Sequence, residues 1–298
     1  MKLKLITLVV ILGISTTMYA SDCNSSDKPT KNIVELAVEN GFNSLAAALV
    51  KTDLIGALEG EGPFTVFAPT DEAFGRLLET IGQKSIDDVP TDVLKQVLLY
   101  HVVAEDVASN QVSDGWVATL EGSKIQLSTD DGVRVNGVSV ISPYDVDATN
   151  GIIHTIENVI VPESIAQFVN TVLEPAFFNK NFSTLVAAAV KADVVETLLT
   201  TPNLTIFAPD NKAFMKAGIT LDKVDSKTLA SVLTYHVVGA KVLSSDIPQK
   251  ATTVNGKSLK FSVASSGAYI NGDTKIKAVD IESGSGVVHV IDQVLIPN

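Results

Sequence analysis

The side chains best equipped for chemistry in this chain are four histidines, and they come in matched pairs: His101 with His236, and His154 with His289. From His101 to His154, and again from His236 to His289, the interval is 53 residues, which is not the short ligand spacing of a zinc site. Each imidazole is embedded among Val, Ile and Leu, where a buried ring is ordinarily satisfied by hydrogen bonds and serves the architecture. A catalytic centre is rarely kept in both copies of a duplication with all its partners, so the symmetry itself favours structural histidines. The single cysteine, Cys23, lies near the N-terminus, so the body of the chain is expected to hold neither an internal disulfide nor a thiolate metal site. Two other boxes fail on inspection. Asn255-Gly256-Lys257-Ser258 ends like a phosphate loop, but Ala251 stands where its first glycine belongs and a strand follows, so it reads as a hairpin turn. Asp145-Val146-Asp147-Ala148-Thr149-Asn150-Gly151 hints at a calcium loop, yet its glycine comes one place late and Ile156 fills the closing glutamate position. Neither GxSxG nor HExxH occurs. The expectation is a protein without catalysis, cofactor or metal.

The elements that carry these residues repeat. Residues 45–54 match 185–194, and TVFAPTDEAF (65–74) matches TIFAPDNKAF (205–214), both at an offset of 140. Farther along, Tyr100-His101-Val-Val matches Tyr235-His236-Val-Val, and Gly151-Ile-Ile-His matches Gly286-Val-Val-His, at an offset of 135. The lost five residues fall around 81–90, where a loop would absorb them. In each copy, Ala-rich stretches from 43 and 182 predict buried helices, and a short strand runs into Ala-Pro69 or Ala-Pro209. Thr70 and Asp210 follow as helix caps, two residue types that accept the same first-turn amide bond. Another helix ends at each Tyr-His. Strand and turn chemistry then alternates through Asp131-Gly132, Asn136-Gly137 and Asn271-Gly272, and each copy closes on an apolar strand, 152–161 or 287–296. The class is α+β with a mostly antiparallel sheet.

With 298 residues and 46% hydrophobic content the chain can bury two cores. Its net charge of −12 argues against a nucleic-acid partner, whose phosphates need clustered cations. Residues 1–20, with Lys2 and Lys4 ahead of the apolar run 5–14, have the pattern of a cleavable signal peptide, too short for a membrane span. Residues 21–29 read as a polar tether. Lipid anchoring through Cys23 is the less favoured alternative because Asp22 precedes it, and no apolar tail follows Leu295. The expected location is extracellular, periplasmic or cell-surface, with no integral span in the mature chain.

The order of TVFAP(T/D)xxAF, then YHVV, then the Asn-Gly hairpin, then G(I/V)(I/V)HxI resembles the fasciclin-type domain, twice, over 30–162 and 163–298. That resemblance implies two tandem wedge-like β-sandwiches decorated with helices, exported and used in adhesion without catalysis. It also marks candidate adhesion residues: Asp280-Ile281, its conservative counterpart Asp145-Val146, and the Tyr100-His101 and Tyr235-His236 pairs. The plainer alternatives are a solvated turn for the first two and a hydrogen-bonded core pair for the others. The implied partner is a cell-surface or matrix protein or a polysaccharide. An extracellular carrier of a small lipophilic ligand such as a pigment is the runner-up.

Overall fold

The computed structural model describes residues 28–284 and 286–297; the leader and Cys23 lie outside them. Each repeat folds around one seven-stranded sheet with helices on one side. In the first unit the strands are β1 Phe64–Pro69, β2 Val102–Val103, β3 Gly115–Ala118, β4 Lys124–Ser128, β5 Arg134–Val135, β6 Val138–Ala148 and β7 Gly151–Ile156. In the second they are β8 Thr205–Pro209, β9 Val237–Val238, β10 Lys250–Thr252, β11 Ser258–Ala264, β12 Gly267–Ile270, β13 Thr274–Ser283 and β14 Gly286–Ile291. The orders are β2-β1-β7-β6-β5-β4-β3 and β10-β11-β12-β13-β14-β8-β9. All pairs are antiparallel except β1 with β7 and β8 with β14 at the heart of each sheet. The sheet curls until its two ends meet: Val103 bridges Thr119, and Val238 bridges Thr253.

Period-two alternation on the first strand of each unit sorts two cores. Val66 and Ala68 face the helices, whereas Phe67 points into the curled sheet with Tyr100, Ile125, Val135 and Ile156. Ile206, Ala208 and Phe207 divide in the same way. Phe67 and Phe207 are each fully buried, and burying a side chain of that size contributes about 2–3 kcal/mol. The Pro69 and Pro209 corners end these strands. Thr70 then accepts from the Ala73 amide at 3.1 Å and Asp210 from the Ala213 amide at 2.9 Å, so the cap chemistry holds while its residue changes.

Two expectations need correction. The length difference between copies is not confined to a loop: helix Asp71–Thr80 has ten residues and its counterpart Asn211–Lys216 six. The extra turn is helical because Leu77 and Leu78, three and four residues after Phe74, pack against the core. The closing strands also stop early, at Ile156 and Ile291. Beyond them the chain bends through Glu157-Asn158 or Asp292-Gln293, and the next buried amides find side-chain partners instead of a strand.

Residues 163–179 join the units without slack. Ile165 (1% exposed), Phe168 (6%) and Phe178 belong to the helix-side core of the first unit, whereas Val172 and Ala176 belong to that of the second. Phe168 stacks on Phe177 at 3.7 Å between centroids, and Phe177 meets Phe178 edge-on at 5.0 Å. Lys180 crosses the seam to donate to the Asp87 carbonyl at 2.8 Å.

Candidate functional site

Helix Thr91–Tyr100 ends in the Tyr-His pair, and both rings turn inward. The Tyr100 hydroxyl donates to the Lys124 carbonyl at 3.1 Å and accepts from Asn136 at 2.9 Å, while Asn136 Oδ1 accepts the Gln126 amide. Tyr235, Ser258, Asn271 and Lys260 repeat the set. His101 Nδ1 donates to the Val97 carbonyl at 2.6 Å, and Nε2 accepts the Ile160 amide at 3.1 Å. His236 does the same with Val232 at 2.8 Å and Leu295 at 2.8 Å. A carbonyl only accepts and an amide only donates, so these contacts fix the neutral Nδ1–H tautomer. Burial holds both imidazoles at a pKa of about 4, against the partial opposition of the carbonyl bond.

The second histidine of each unit uses the opposite tautomer. His154 Nε2 donates to the Val107 carbonyl at 2.8 Å and Nδ1 accepts the Asp145 amide at 3.3 Å. His289 pairs likewise with Val242 at 2.9 Å and Asp280 at 3.2 Å. Asp145 and Asp280 sit where β6 and β13 slip register against their neighbours, both in the left-handed region with φ of 52° and 56°. Aspartate tolerates that backbone better than most residues. The Asp145 carboxylate accepts from the Ser109 amide at 2.7 Å and from its hydroxyl, and the Asp280 carboxylate from Ser244 in the same way. Partial burial works against the Asp145 charge, but the Ser109 bonds hold its carboxyl below the usual range; Ser244 does so for Asp280.

The structure therefore spreads the candidate residues rather than gathering them. The two Tyr-His pairs are interior. Asp145 and Asp280 latch a bulge to a serine 36 residues upstream in the chain, and the neighbouring Val146 and Ile281 are half-buried against the helix-side cores. Ser109 and Ser244 carry no local signal in the sequence, and Asn136 and Asn271 read there only as hairpin turns, although each pair lies at the same offset of 135 as the histidines. Among the described residues, no group of three or more His, Cys, Asp and Glu side chains converges as a metal site would require, and no helix is long and apolar enough to cross a membrane.

With this twice-built frame in view, the sequence profile of the fasciclin domain matches residues 40–162 and 180–297. The chain belongs to the fasciclin domain family. Protein sll1483 of Synechocystis is 46% identical over 132 residues, covering 44% of this chain and 73% of that protein. Human periostin is 29% identical over 255 residues, covering 81% of this chain and 29% of periostin. Pig transforming growth factor-beta-induced protein ig-h3 is 28% identical over 273 residues, covering 90% of this chain and 38% of that protein. The chain thus spans well under half the length of these two animal proteins. Among solved structures, a FAS1 domain pair from the insect cell adhesion molecule fasciclin I covers 87% of this chain with 19% identity and a TM-score of 0.39.

Proposed function

We propose that this protein is an exported, non-catalytic adhesion protein that meets a cell surface, a matrix protein or a polysaccharide through its two fasciclin domains. Residues 1–20 serve as the export signal, and the domains occupy 30–162 and 163–298. The observation that carries the reading is the joint between the domains: Ile165, Phe168 and Phe178 are buried in the core of one and Val172 and Ala176 in that of the other. Two weakly binding faces held in fixed relation engage a crowded surface with an effective concentration set by geometry, which raises avidity without new contacts. The histidines and tyrosines support a non-catalytic role, because their polar atoms are committed to internal partners in both copies.

The carrier reading has less support. The enclosed apolar voids are small, about 40 Å³ for one lined by Phe168, Leu198 and Val237 and about 10 Å³ for one lined by Ile33, Leu49 and Leu98. Small-molecule sites have ~300–1,000 Å³. The larger recesses, of about 370 and 420 Å³, are open surface grooves with polar and charged groups in their lining. The test is to apply the purified mature chain to cells and polymer-coated surfaces. Coating by colourless, lipid-free protein supports adhesion; protein that leaves its host loaded with pigment or lipid, and coats nothing, overturns it.

A further inference from the structure

The second fasciclin domain carries an open groove of about 370 Å³ beside the Asp280-Ile281 pair, and nothing described above uses it. Its floor is apolar, formed by Phe182, Ile281 and Val290. Its rim is made of hydrogen-bonding groups. Asn179 spends its Oδ1 on the Asn181 amide, which leaves its NH2 group without a partner, and the Asn181 side-chain amide and the exposed Lys212 ammonium likewise have no hydrogen-bond partner among the described residues. Lys277 is held in the groove by Asp210 at 2.6 Å, with its side chain 44% exposed. Two lysines against one aspartate make this a locally positive patch on a chain of net charge −12.

The duplication supplies an internal control. At the same offsets the first domain keeps two of the three floor residues apolar, with Phe42 for Phe182 and Val146 for Ile281, while Thr155 stands for Val290. The polar positions are changed: Glu39 stands for Asn179, Asp71 for Asn211, Glu72 for Lys212 and Ser142 for Lys277. Folding requires the shared frame but not a change of charge, because Asp71 and Asn211 do the same structural work: each accepts an amide in the first turn of an earlier helix, Ser44 at 2.7 Å and Thr184 at 3.0 Å. On the rim Lys212 reverses the charge of Glu72 and Lys277 adds one at Ser142, while Asp210 replaces Thr70 and Asn181 replaces Gly41.

We infer that this groove binds a uronic-acid unit of an acidic polysaccharide, an inference that rests on the adhesion reading and gives it a partner class. The apolar floor takes the C–H face of a pyranose ring, the free amides of Asn179 and Asn181 meet its hydroxyls, and Lys212 and Lys277 meet its carboxylate. An acidic peptide would use the lysines but offers no ring face to the apolar floor, and a neutral glycan would leave Lys212 unmatched, Lys277 being already paired with Asp210. The volume suits one or two sugar rings.

The experiment titrates the mature full chain with alginate oligomers at low salt, with cello-oligosaccharide and poly-aspartate in parallel, and measures coating of cells by the same preparations. Alginate is expected to bind best, and Lys212→Glu to weaken it at least tenfold with an unchanged Tm, because Lys212 makes no hydrogen bond that the fold needs. Asn181→Asp provides a second variant with the same expectation. Absence of alginate binding, equal affinity of Lys212→Glu and wild type, or equal affinity for poly-aspartate would each overturn the assignment. Cell coating without alginate binding sinks the groove and leaves adhesion standing; alginate binding without coating does the reverse.

Discussion

The amide of Ile160 donates to Nε2 of His101 at 3.1 Å, so a neutral imidazole pins the segment after β7 to the end of helix Thr91–Tyr100. Leu295 and His236 make the same joint at 2.8 Å in the second domain. Protonation would turn the accepting nitrogen into a donor facing another donor. Both imidazoles have a folded pKa of about 4 against an ordinary 6.5, so the unfolded chain binds more protons between those values. Stability is therefore full above pH 6.5 and falls as the pH drops to 4, by roughly 3 kcal/mol for each histidine. Urea midpoints measured from pH 8 to 4 should decline over that window, and His101→Gln should flatten part of the decline. A flat profile would contradict the pinned tautomer. Asp145 and Asp210 also lose stability on acidification, but their carboxyls lie below the ordinary 3.8, so their window begins where that of the histidines ends.

Asp145→Ala should cost about 1–2 kcal/mol, through the lost Ser109 bonds and a left-handed backbone that alanine resists. Asp145→Asn should be milder, since asparagine accepts both the conformation and one of the bonds. Thermal melts of the two variants distinguish this from a contact role, in which surface binding would vanish while Tm stayed constant.

Phe168→Ala removes a ring buried across the seam and should destabilise the chain by about 3–5 kcal/mol. Lys180→Ala, which deletes only an exposed cross-seam donor, should change stability by less than ~1 kcal/mol. Small-angle scattering and nuclear relaxation should report one tumbling body for wild type and for Lys180→Ala. Independent tumbling of the wild-type halves would remove the basis for avidity.

Gly151 opens β7 at φ 151°, and a Cβ there would lie 1.9 Å from the Phe64 carbonyl oxygen. Gly151→Ala should therefore break the start of the parallel β1–β7 pair and lower Tm well beyond what a surface substitution does. A melt within a degree of wild type would show that the pairing can shift at no cost.

Much of this was legible in the sequence because the duplication repeats local signals: the Ala-rich helices, the Thr70 and Asp210 caps and the Tyr-His helix ends need only nearby residues. What was hidden depends on distant partners. The parallel pairing of Phe67 with His154 joins strands separated by most of a domain, and no periodicity reports it. The commitment of Asp145 to Ser109 requires the bulge to be known first. The groove assembles Asn181, Lys212 and Lys277 from three separate elements, so no local pattern brings them together. The added turn of helix Asp71–Thr80 is hidden for another reason: a gap between repeats, placed around 81–90, does not say on which side of a helix end it falls.

The bridges Val103–Thr119 and Val238–Thr253, with the Leu120 amide bound to the Val102 carbonyl at 2.8 Å, join the two ends of each sheet. Open sheet ends are templates on which a second chain adds strands, and crowding makes that addition more frequent. A protein displayed densely at a surface meets its own copies constantly. By curling each sheet until its end strands touch, this chain occupies part of the edge backbone that a neighbour would extend, which under the proposed surface role would let its copies crowd without seeding fibrils.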